Sequence, residues 1–441
     1  NGKNMSEQLF SLHSWPRAIV HIDGDAFFTS CEEVIHPELK GKPLITGGER
    51  GIVACASYAA KRIGVARGVP LHEARKICPG LIILPSDYET YSLFSRRIFS
   101  IMRRFTPDVE EYSIDEAFAD ITGMRRALHS SYEEIVLRMK QDIERELGIT
   151  VSVGLSITKV LAKVASKHQK PAGMTVIKGR EIPDYLRTLP VEKIWGIGNA
   201  TTNYLAKMGI HYALEFAQLP EKTVLRKFTK PGVEIWQELR GQSVYPVSAA
   251  EKSSYASISK TKTFAPPTNN AEYLFAQLMR NMESACIKAR RYNLAPHKIV
   301  VFLKKNNFDT QGGEAMLTRP CACPLEFSGI VRDLFNACFR SNETYRATGV
   351  ILLDLQPDTT TQYSLFDDPP QAEKIKELYA AADELGKKFG KHTLYLGASH
   401  PIEKMGKGRR GAPTTREQTR FKGETSRRHL GLPLLHIKTE N

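Results

Sequence analysis

Residues 109–121 read VEEYSIDEAFADI, and residues 18–28 read AIVHIDGDAFF. Polar and apolar residues partly alternate in the first stretch, which predicts two strands joined by a turn near its centre. The second stretch is a short apolar run that ends in an Asp-Gly-Asp turn and leads into a helical pattern, so it predicts a strand, a turn and a helix. If these strands are neighbours in one sheet, Asp23, Asp115 and Glu116 lie close together.

Three crowded carboxylates repel one another, and hard divalent cations that prefer oxygen ligands relieve that repulsion best. Two such ions about 3.5 to 4 Å apart would stabilise the attacking and leaving oxygens of an in-line displacement at phosphorus. Short acidic patterns also have a structural explanation. An aspartate of the first stretch can cap the following helix, and Asp115 and Glu116 can simply occupy a turn.

The remaining pattern predicts an α+β fold with several units. A helix over residues 132–147 and its flanking strands indicate a sheet covered by helices. Short helices punctuated by glycine follow Pro190, which indicates a separate helical unit. From residue 255 the order β-α-β-β-α-β is typical of a ferredoxin-like unit. Its predicted elements are a strand at 257–264 ending at two prolines, a helix at 271–292, strands at 297–304 and 314–318, a helix at 325–340 and a strand at 348–355. The chain turns polar beyond Pro357, where one helix is predicted at 372–389.

Composition narrows the class of protein. The chain has 441 residues, with 62 Lys and Arg against 48 Asp and Glu, a net charge of +14. About three compact units fit this length, and the basic excess serves either solubility or a polyanionic partner. No apolar run reaches the length of a bilayer span and no signal peptide is evident, so we expect a cytoplasmic protein with no membrane partner. The seven cysteines form no C-x-x-C pairs, and we expect reduced thiols that mostly pack in cores.

Five segments resemble the Y-family, lesion-bypass DNA polymerases, in that order and at family spacing. They are IDGDAFFTSCE at 22–32, ASYAAKRIGV at 56–65, YSIDEAFADITG at 112–123, VGLSITKVLAKVASKHQKPAG at 153–173 and VEKIWGIGNATTNYLAKMGI at 191–210. The resemblance runs from Ile19 to Asp354. It implies a low-fidelity, template-directed DNA polymerase that extends primers past damaged bases in DNA repair and the SOS response.

The resemblance also implies a right-hand polymerase architecture: a ferredoxin-like palm, small fingers, a helical thumb with a helix-hairpin-helix, and a β-α-β-β-α-β little finger. The domain boundaries are the palm at 17–34 and 92–166, the fingers at 35–91, the thumb at 167–247, a linker at 248–254, the little finger at 255–356, and a clamp-binding peptide with a basic tail at 357–441.

Matched to the family's motifs, Asp23 and Asp115 would bridge two Mg²⁺ ions, with Mn²⁺ able to substitute. Glu116 would hold the catalytic ion only, and the backbone carbonyl of Gly24 would be a further ligand. The primer 3′-hydroxyl would then attack the α-phosphate of an incoming deoxynucleotide.

The resemblance assigns the triphosphate contacts to Phe27, Phe28, Cys55, Tyr58, Lys61 and Lys159, the two phenylalanines through backbone N–H groups at the helix start. Two positions depart from the family. Cys55 stands where a threonine is frequent, and Lys61 stands where an arginine is frequent, so the bidentate grip on phosphate is lost. Phe28 matches the steric gate that excludes a 2′-hydroxyl, and Phe27 is the better candidate of the two for the core.

DNA contacts follow from the same resemblance. Gly196 and Gly198 of the hairpin would let backbone amides approach phosphates. The little finger offers basic side chains for the duplex: Lys260, Lys262, Arg290, Arg291, Lys304, Lys305 and Arg319. Some of these are ordinary surface charge.

Residues 362–366, QYSLF, resemble the bacterial sliding-clamp peptide, in which Gln362, Leu365 and Phe366 would make the contacts. The alternative is an irregular linker with chance apolar residues. Beyond it, LFDD at 365–368 and FGKHTLYLGAS at 389–399 are similar to the polymerase V branch of the family, whereas the active-site region resembles the polymerase IV branch. A place in the polymerase V branch would imply an accessory protein and a recombinase filament as partners.

Two other classes stay open on these residues. A noncatalytic DNA-binding scaffold of a repair complex could keep the polymerase fold, although intact carboxylates argue against it. A nucleotide cyclase with a similar palm would share the two-metal chemistry but would need neither the hairpin nor the clamp peptide.

Overall fold

The computed structural model describes residues 14–250, 255–358, 369–389 and 392–402. The chain divides into two compact units, residues 1–250 and 251–441. Among the residues described, no helix is both long enough and apolar enough to cross a bilayer.

A five-stranded sheet forms the centre of the first unit. Its strands are β1 (Ile19–Gly24), β5 (Val109–Glu111), β6 (Glu116–Asp120), β7 (Val151–Ser156) and β8 (Met174–Val176), in the order β5-β6-β1-β7-β8. β1 lies in the middle and pairs antiparallel with β6 and β7. The predicted neighbouring of the two acidic segments is therefore confirmed, since Asp23 lies directly opposite Glu116 in the β1–β6 register.

The two faces of this sheet bury different helices, because side chains alternate along each strand. Val20 and Ile22 face a core shared with the helices Tyr88–Met102 and Tyr132–Leu147. The second of these helices has the predicted bounds. It begins at a capping box, in which Ser131 and Glu134 exchange hydrogen bonds with each other's backbone.

The opposite face carries the helix Lys159–His168, which approaches the sheet closely at Gly154. A Cβ atom at Gly154 would lie 2.0 Å from the carbonyl oxygen of Ala162 and 2.3 Å from the backbone nitrogen of Ser166. Only glycine leaves room for this contact, which brings the lysines of the helix beside the carboxyl end of β1.

A small three-stranded sheet follows β1 and its helix along the chain. Its strands are β2 (Leu44–Thr46), β3 (Cys55–Ala56) and β4 (Ile82–Leu84), in the order β3-β2-β4. The helices Tyr58–Arg62 and Leu71–Ile77 pack with it around Ile45, Val53 and Ala60. β2, β3 and β4 were not predicted, because strands of two or three residues are too short to show a period.

The helical part of the first unit has the expected glycine punctuation. Its α-helices are Ile182–Arg187, Asn199–Lys207, Ala213–Ala217, Glu221–Lys227 and Lys230–Leu239. They enclose an apolar core that includes Leu205, Phe216 and Trp236.

The second unit has the predicted β-α-β-β-α-β order. Its elements are β9 (Ile258–Thr268), the helix Ala271–Arg291, β10 (Leu294–Lys305), β11 (Thr310–Met316), the helix Pro324–Cys338 and β12 (Tyr345–Pro357), with sheet order β11-β10-β12-β9. β11 begins four residues before the predicted strand because Gly312 and Gly313 hide the alternation. β9 continues through Pro266 and Pro267, which lie where the pairing of this edge strand with β12 shifts register between Thr263 and Thr268.

A further helix, Pro369–Phe389, lies against the second unit. Arg290 holds it through two 2.7 Å hydrogen bonds to the carboxylate of Asp383. The predicted clamp-binding residues Gln362, Leu365 and Phe366 lie outside the described residues, as does the basic tail from residue 405.

Candidate active site

The three acidic residues predicted as metal ligands converge at the end of β1. Asp23 and Glu116 are paired across the strands, and Asp115 immediately precedes β6. The N–H of Gly24 donates a 2.8 Å hydrogen bond to the carbonyl oxygen of Asp115. The Ser113 hydroxyl donates to Oδ1 of Asp115 at 2.6 Å, which orients that carboxylate. The strand pairing therefore builds a carboxylate cluster from residues about ninety positions apart in the chain.

Electrostatics mark Asp23 as the most perturbed acid of the cluster. Burial, with added repulsion from Glu116 and Asp115, raises the pKa of Asp23 to about 6, although the Lys170 ammonium acts in the opposite direction. Lys170 Nζ donates a hydrogen bond to Asp23 Oδ1. A cluster of mutually repelling carboxylates, one of them buried and two partly exposed, fits hard divalent cations such as Mg²⁺.

Three lysines each form an ion pair with one acidic residue in or near the carboxylate cluster. Lys170 pairs with Asp23, Lys163 Nζ lies 2.6 Å from Glu116 Oε2, and Lys159 Nζ lies 2.7 Å from both carboxylate oxygens of Glu110. These lysines sit on the helix Lys159–His168 and the loop that follows it.

This pairing favours Lys170 over the predicted Lys159 as the lysine that contacts the triphosphate. Lys159 is almost completely buried, and its ammonium donates to both carboxylate oxygens of Glu110. Lys170 does contact the cluster, and its side chain is 27% exposed. The sequence signal for Lys170 was present in the QKPAG end of the fourth family segment, but reasoning from sequence passed over it.

Asp25 is a second residue that sequence reasoning missed. Its fully buried carboxylate accepts hydrogen bonds from the hydroxyl of Ser152 at 2.8 Å, from the hydroxyl of Tyr58 at 3.3 Å and from the N–H of Ala172 at 2.7 Å. The helix Phe27–Ile35 has no side-chain cap, so the capping explanation for this aspartate is wrong. Asp25 instead ties β7, the helix that carries Tyr58 and the loop after Lys170 to the end of β1.

The two phenylalanines behave differently. Phe27 is 3% exposed and belongs to the core, as predicted. Phe28 is half-buried, stacks on Tyr91 with ring centroids 4.5 Å apart, and meets the edge of Tyr88 at 5.4 Å. Tyr91 is fully buried, so it gives the Phe28 ring a fixed support.

The helix that begins at Phe27 follows a left-handed residue, Ala26, with φ 45°. Because the helix has no side-chain cap, the N–H groups of its first turn lack the usual side-chain acceptor, which suits an anion.

The remaining predicted triphosphate contacts come from the small sheet. Lys61 is exposed, with its Nζ 4.4 Å from the centroid of the Tyr58 ring. Cys55 Sγ lies 3.9 Å from Thr29 Oγ1. Burial, with the added repulsion of Asp25, raises the pKa of Tyr58 well above its ordinary value, so Tyr58 remains a neutral hydrogen-bond donor.

In the hairpin, Gly196 has φ 90°, and a Cβ atom there would lie 2.6 Å from the side chain of Ile235. Gly198 is the N-cap of the helix Asn199–Lys207 and has open space around it. A bulky side chain is therefore excluded at the first position, and at the second the backbone is accessible.

The basic residues predicted to contact DNA separate into two groups. Lys262 is exposed, Lys304 lies over the ring of Phe308, and Lys305 Nζ lies 2.8 Å from Glu343. Arg319, by contrast, is 8% exposed and its guanidinium donates to Glu326 at 2.5 Å. Arg290 is held by Asp383 in the same way. Because a buried, paired guanidinium does not present its charge to a phosphate backbone, this pairing argues against the predicted DNA contacts of Arg319 and Arg290.

Comparison with known proteins agrees with this geometry. Residues 22–167 match the model of the impB/mucB/samB family, residues 255–365 match the C-terminal domain of that family, and residues 180–210 match its helix-hairpin-helix motif. DNA polymerase IV of Desulfatibacillum aliphaticivorans is 32% identical over 379 residues, covering 85% of this chain and 95% of the relative. DNA polymerase IV of Moorella thermoacetica is 33% identical over 387 residues, covering 87% and 96%.

Solved structures show the same likeness. A Y-family DNA polymerase chimera superposes with a TM-score of 0.66 at 26% identity, covering 77% of this chain and 99% of the chimera. The insertion ternary complex of Dbh DNA polymerase gives a TM-score of 0.52 at 25% identity, covering 76% and 98%. The chain belongs to the Y-family of DNA polymerases. Its fold class is the one predicted, and it is a DNA-directed DNA polymerase that acts in translesion synthesis, similar to the bacterial enzymes named DNA polymerase IV.

Proposed function

We propose that Asp23, Asp115 and Glu116, with the backbone carbonyl of Gly24, hold two Mg²⁺ ions for nucleotidyl transfer. The observation that carries this proposal is the β1–β6 register, which sets Asp23 opposite Glu116 and next to Asp115. Bound ions of this kind would activate the primer 3′-hydroxyl and neutralise charge that develops on the α-phosphate. Asp23 and Asp115 would supply ligands to both ions, and Glu116 would supply a ligand to the catalytic one. Mn²⁺ offers the same ligand preference and would substitute.

Primer-template DNA and an incoming deoxynucleotide are the partners of this site. The Dbh enzyme, whose fold this chain shares, forms a ternary complex. For this chain we place the triphosphate against Lys170, Tyr58, Lys61 and the first-turn N–H groups of Phe27 and Phe28, with Cys55 nearby.

Lys170 replaces Lys159 in this proposal because only Lys170 combines contact with the cluster and partial exposure. The Lys170 ammonium, which donates to Asp23 in this structure, would donate to a phosphate oxygen of the incoming triphosphate. Tyr58 is held in place for the same task by Asp25.

Phe28 would act as the steric gate against ribonucleotides. Its ring is fixed from behind by the buried Tyr91, so it has no room to retreat from a 2′-hydroxyl. A ring fixed in this way excludes a 2′-hydroxyl by steric contact, whereas a mobile ring would move aside and admit a ribonucleotide.

The domain boundaries given above remain our proposal for palm, fingers, thumb, linker, little finger and tail. DNA would lie against the hairpin backbone at Gly196 and Gly198 and against Lys260, Lys262, Lys304 and Lys305. Backbone and lysine contacts of this kind hold phosphates without reading bases.

We further propose that Gln362, Leu365 and Phe366 bind the bacterial sliding clamp, that the enzyme acts in the SOS response, and that it works in the cytoplasm. The accessory protein and recombinase filament belong to the polymerase V branch. The two relatives described above carry the name DNA polymerase IV, so we favour the polymerase IV branch for this chain.

The test is primer extension on intact and abasic templates with wild-type protein, Asp115→Ala and the control Asp184→Ala, which changes an exposed aspartate of the helical region. Wild type and the control should extend the primer on both templates, and Asp115→Ala should extend it on neither. Extension by Asp115→Ala would reject the metal-ligand assignment. Failure of all three proteins would favour the noncatalytic scaffold.

A further inference from the structure

A second cluster of possible metal ligands lies in the C-terminal unit, within the sequence Cys321-Ala322-Cys323. The Sγ atoms of Cys321 and Cys323 and a carboxylate oxygen of Glu326 all lie within 4.8 Å of one another. Cys321 is 9% exposed and Cys323 is 5% exposed. The spacing is C-x-C, which a search for C-x-x-C pairs does not find.

We propose that Cys321, Cys323 and Glu326 bind a thiophilic divalent metal ion, for which zinc is the best match. Two thiolates and one carboxylate are a ligand set that zinc accepts and that Mg²⁺ or Ca²⁺ does not favour. A water molecule would complete the four ligands. On binding, the two thiols lose their protons to solvent and no electrons are transferred.

The backbone around the two cysteines stabilises their thiolate forms. The N–H of Cys323 donates a 3.1 Å hydrogen bond to Sγ of Cys321. Cys323 is also the N-cap of the 15-residue helix Pro324–Cys338, where the helix dipole favours a thiolate.

There is space for the ion and for its water. The two cysteines and Glu326 line a cavity of about 210 Å³ between the loop that precedes the helix Pro324–Cys338 and the helix Pro369–Phe389. That volume exceeds what one water needs.

The charged side chains that line the cavity are already paired with one another, so the two thiols are the groups of the wall that have no opposite charge to bind. Each of the three wall cations is paired with a carboxylate: Arg290 with Asp383, Arg319 with Glu326 and Lys376 with Asp358. A divalent ion with two thiolates is therefore neutral in an already balanced cavity. Arg319 can stay bonded to one oxygen of Glu326 while the other binds metal, as outer partners of metal ligands commonly do.

The site would join two parts of the unit. Arg290 donates to the carbonyl oxygen of Ala322, which lies between the two cysteines, and to Asp383 of the helix Pro369–Phe389. The N–H of Leu325 donates to the hydroxyl of Tyr379 on that helix at 3.1 Å. Metal at the C-x-C loop would fix the surface on which this helix docks.

The experiment uses full-length, untagged protein, reduced and stripped of metal by a chelator, titrated with Co²⁺ as the probe. Wild type should develop a cobalt–thiolate charge-transfer absorption that saturates at one equivalent and is lost when Zn²⁺ is added. Oxygen ligands do not give this absorption, so Asp115→Ala should retain it, which separates this site from the carboxylates of the polymerase centre.

The variants make the assignment specific. Cys321→Ser/Cys323→Ser should lose the absorption, and Cys338→Ser, at the far end of the same helix, should keep it. Glu326→Gln should retain the absorption with affinity lowered about tenfold or more. Circular dichroism checks that each variant is folded. If the double cysteine variant does not fold, the metal affinity of Glu326→Gln tests the proposal in its place. Absence of the absorption in folded wild type, an unchanged affinity in Glu326→Gln, or retention by the double variant would overturn the proposal.

Discussion

Lys163 Nζ lies 2.6 Å from Glu116 Oε2 in a position where the lysine side chain is only 7% exposed. The ammonium also lies 4.6 Å from the Tyr112 ring centroid and 5.1 Å from that of Trp195. A lysine so enclosed acts as a built-in counter-charge for a carboxylate that the proposed function gives to a metal ion.

Replacing Lys163 should make the stability of the protein depend on bound metal ions. Lys163→Met leaves Glu116 without its cation, so we expect the free energy of unfolding to fall by up to about 3 kcal/mol in chelator. Part of this loss should return with Mg²⁺, measured as the melting temperature with and without the ion. Lys167→Met, on the same helix, is the matched control. Equal Mg²⁺ responses of the two variants would contradict this role.

Lys170 and Lys159 make a matched pair for the triphosphate site. Lys170→Ala should raise KM for the incoming deoxynucleotide about tenfold, because one charge-assisted contact to phosphate is lost. Lys159→Ala should mainly lower stability, since its partly buried partner Glu110 is left without a cation. Steady-state primer extension and thermal melting distinguish the two effects. A larger KM change in Lys159→Ala would restore the assignment made from sequence.

Phe28→Ala should admit ribonucleotides, because the ring held by Tyr91 is removed. Incorporation of ribonucleotides against deoxynucleotides in primer extension measures the change. Phe27→Leu is the control, which should lower stability slightly and leave sugar discrimination intact. Unchanged discrimination in Phe28→Ala would remove the gate assignment.

Asp25→Asn tests the buried hub beside the metal site. The amide cannot accept the full set of hydrogen bonds from Ser152, Tyr58 and Ala172, so a loss of about 2 kcal/mol in stability is expected. KM for the deoxynucleotide should rise as well, because Tyr58 loses its anchor. Tyr58→Phe, which removes only one of the three bonds, should cost less stability. If it costs as much, the hub explanation fails.

Gly154→Ala should lower the free energy of unfolding by about 2–3 kcal/mol, because the added methyl group meets backbone atoms of the helix Lys159–His168. Gly80→Ala, where no atom lies within 4 Å of the added carbon, is the control. Urea denaturation of both variants gives the comparison, and equal midpoints would show that the helix can move away from the sheet.

Sequence reasoning found what regular patterns encode. The acidic strand ends, the helix Tyr132–Leu147 and the order of the C-terminal unit are all confirmed. Long elements and a sheet with a buried face carry a period that can be read from the residues. β2, β3 and β4 were missed because two or three residues carry none.

The parts of the site that escaped prediction depend on pairing in space. Lys159 and Lys170 are both lysines of one family segment, and only the fold shows that Glu110 occupies the first while Asp23 contacts the second. Asp25 reads as a helix cap until β7 and the loop at Ala172 bring three donors to it.

The two prolines of β9 have a consequence for how the molecule behaves at high concentration. β9 is the outer strand of its sheet, and an outer strand with free N–H groups can recruit a strand from another molecule. The N–H groups of consecutive residues point to opposite sides of a strand, so one proline of the Pro266–Pro267 pair removes a donor from that border. The border is thereby protected against self-association into aggregates while the sheet keeps its full length.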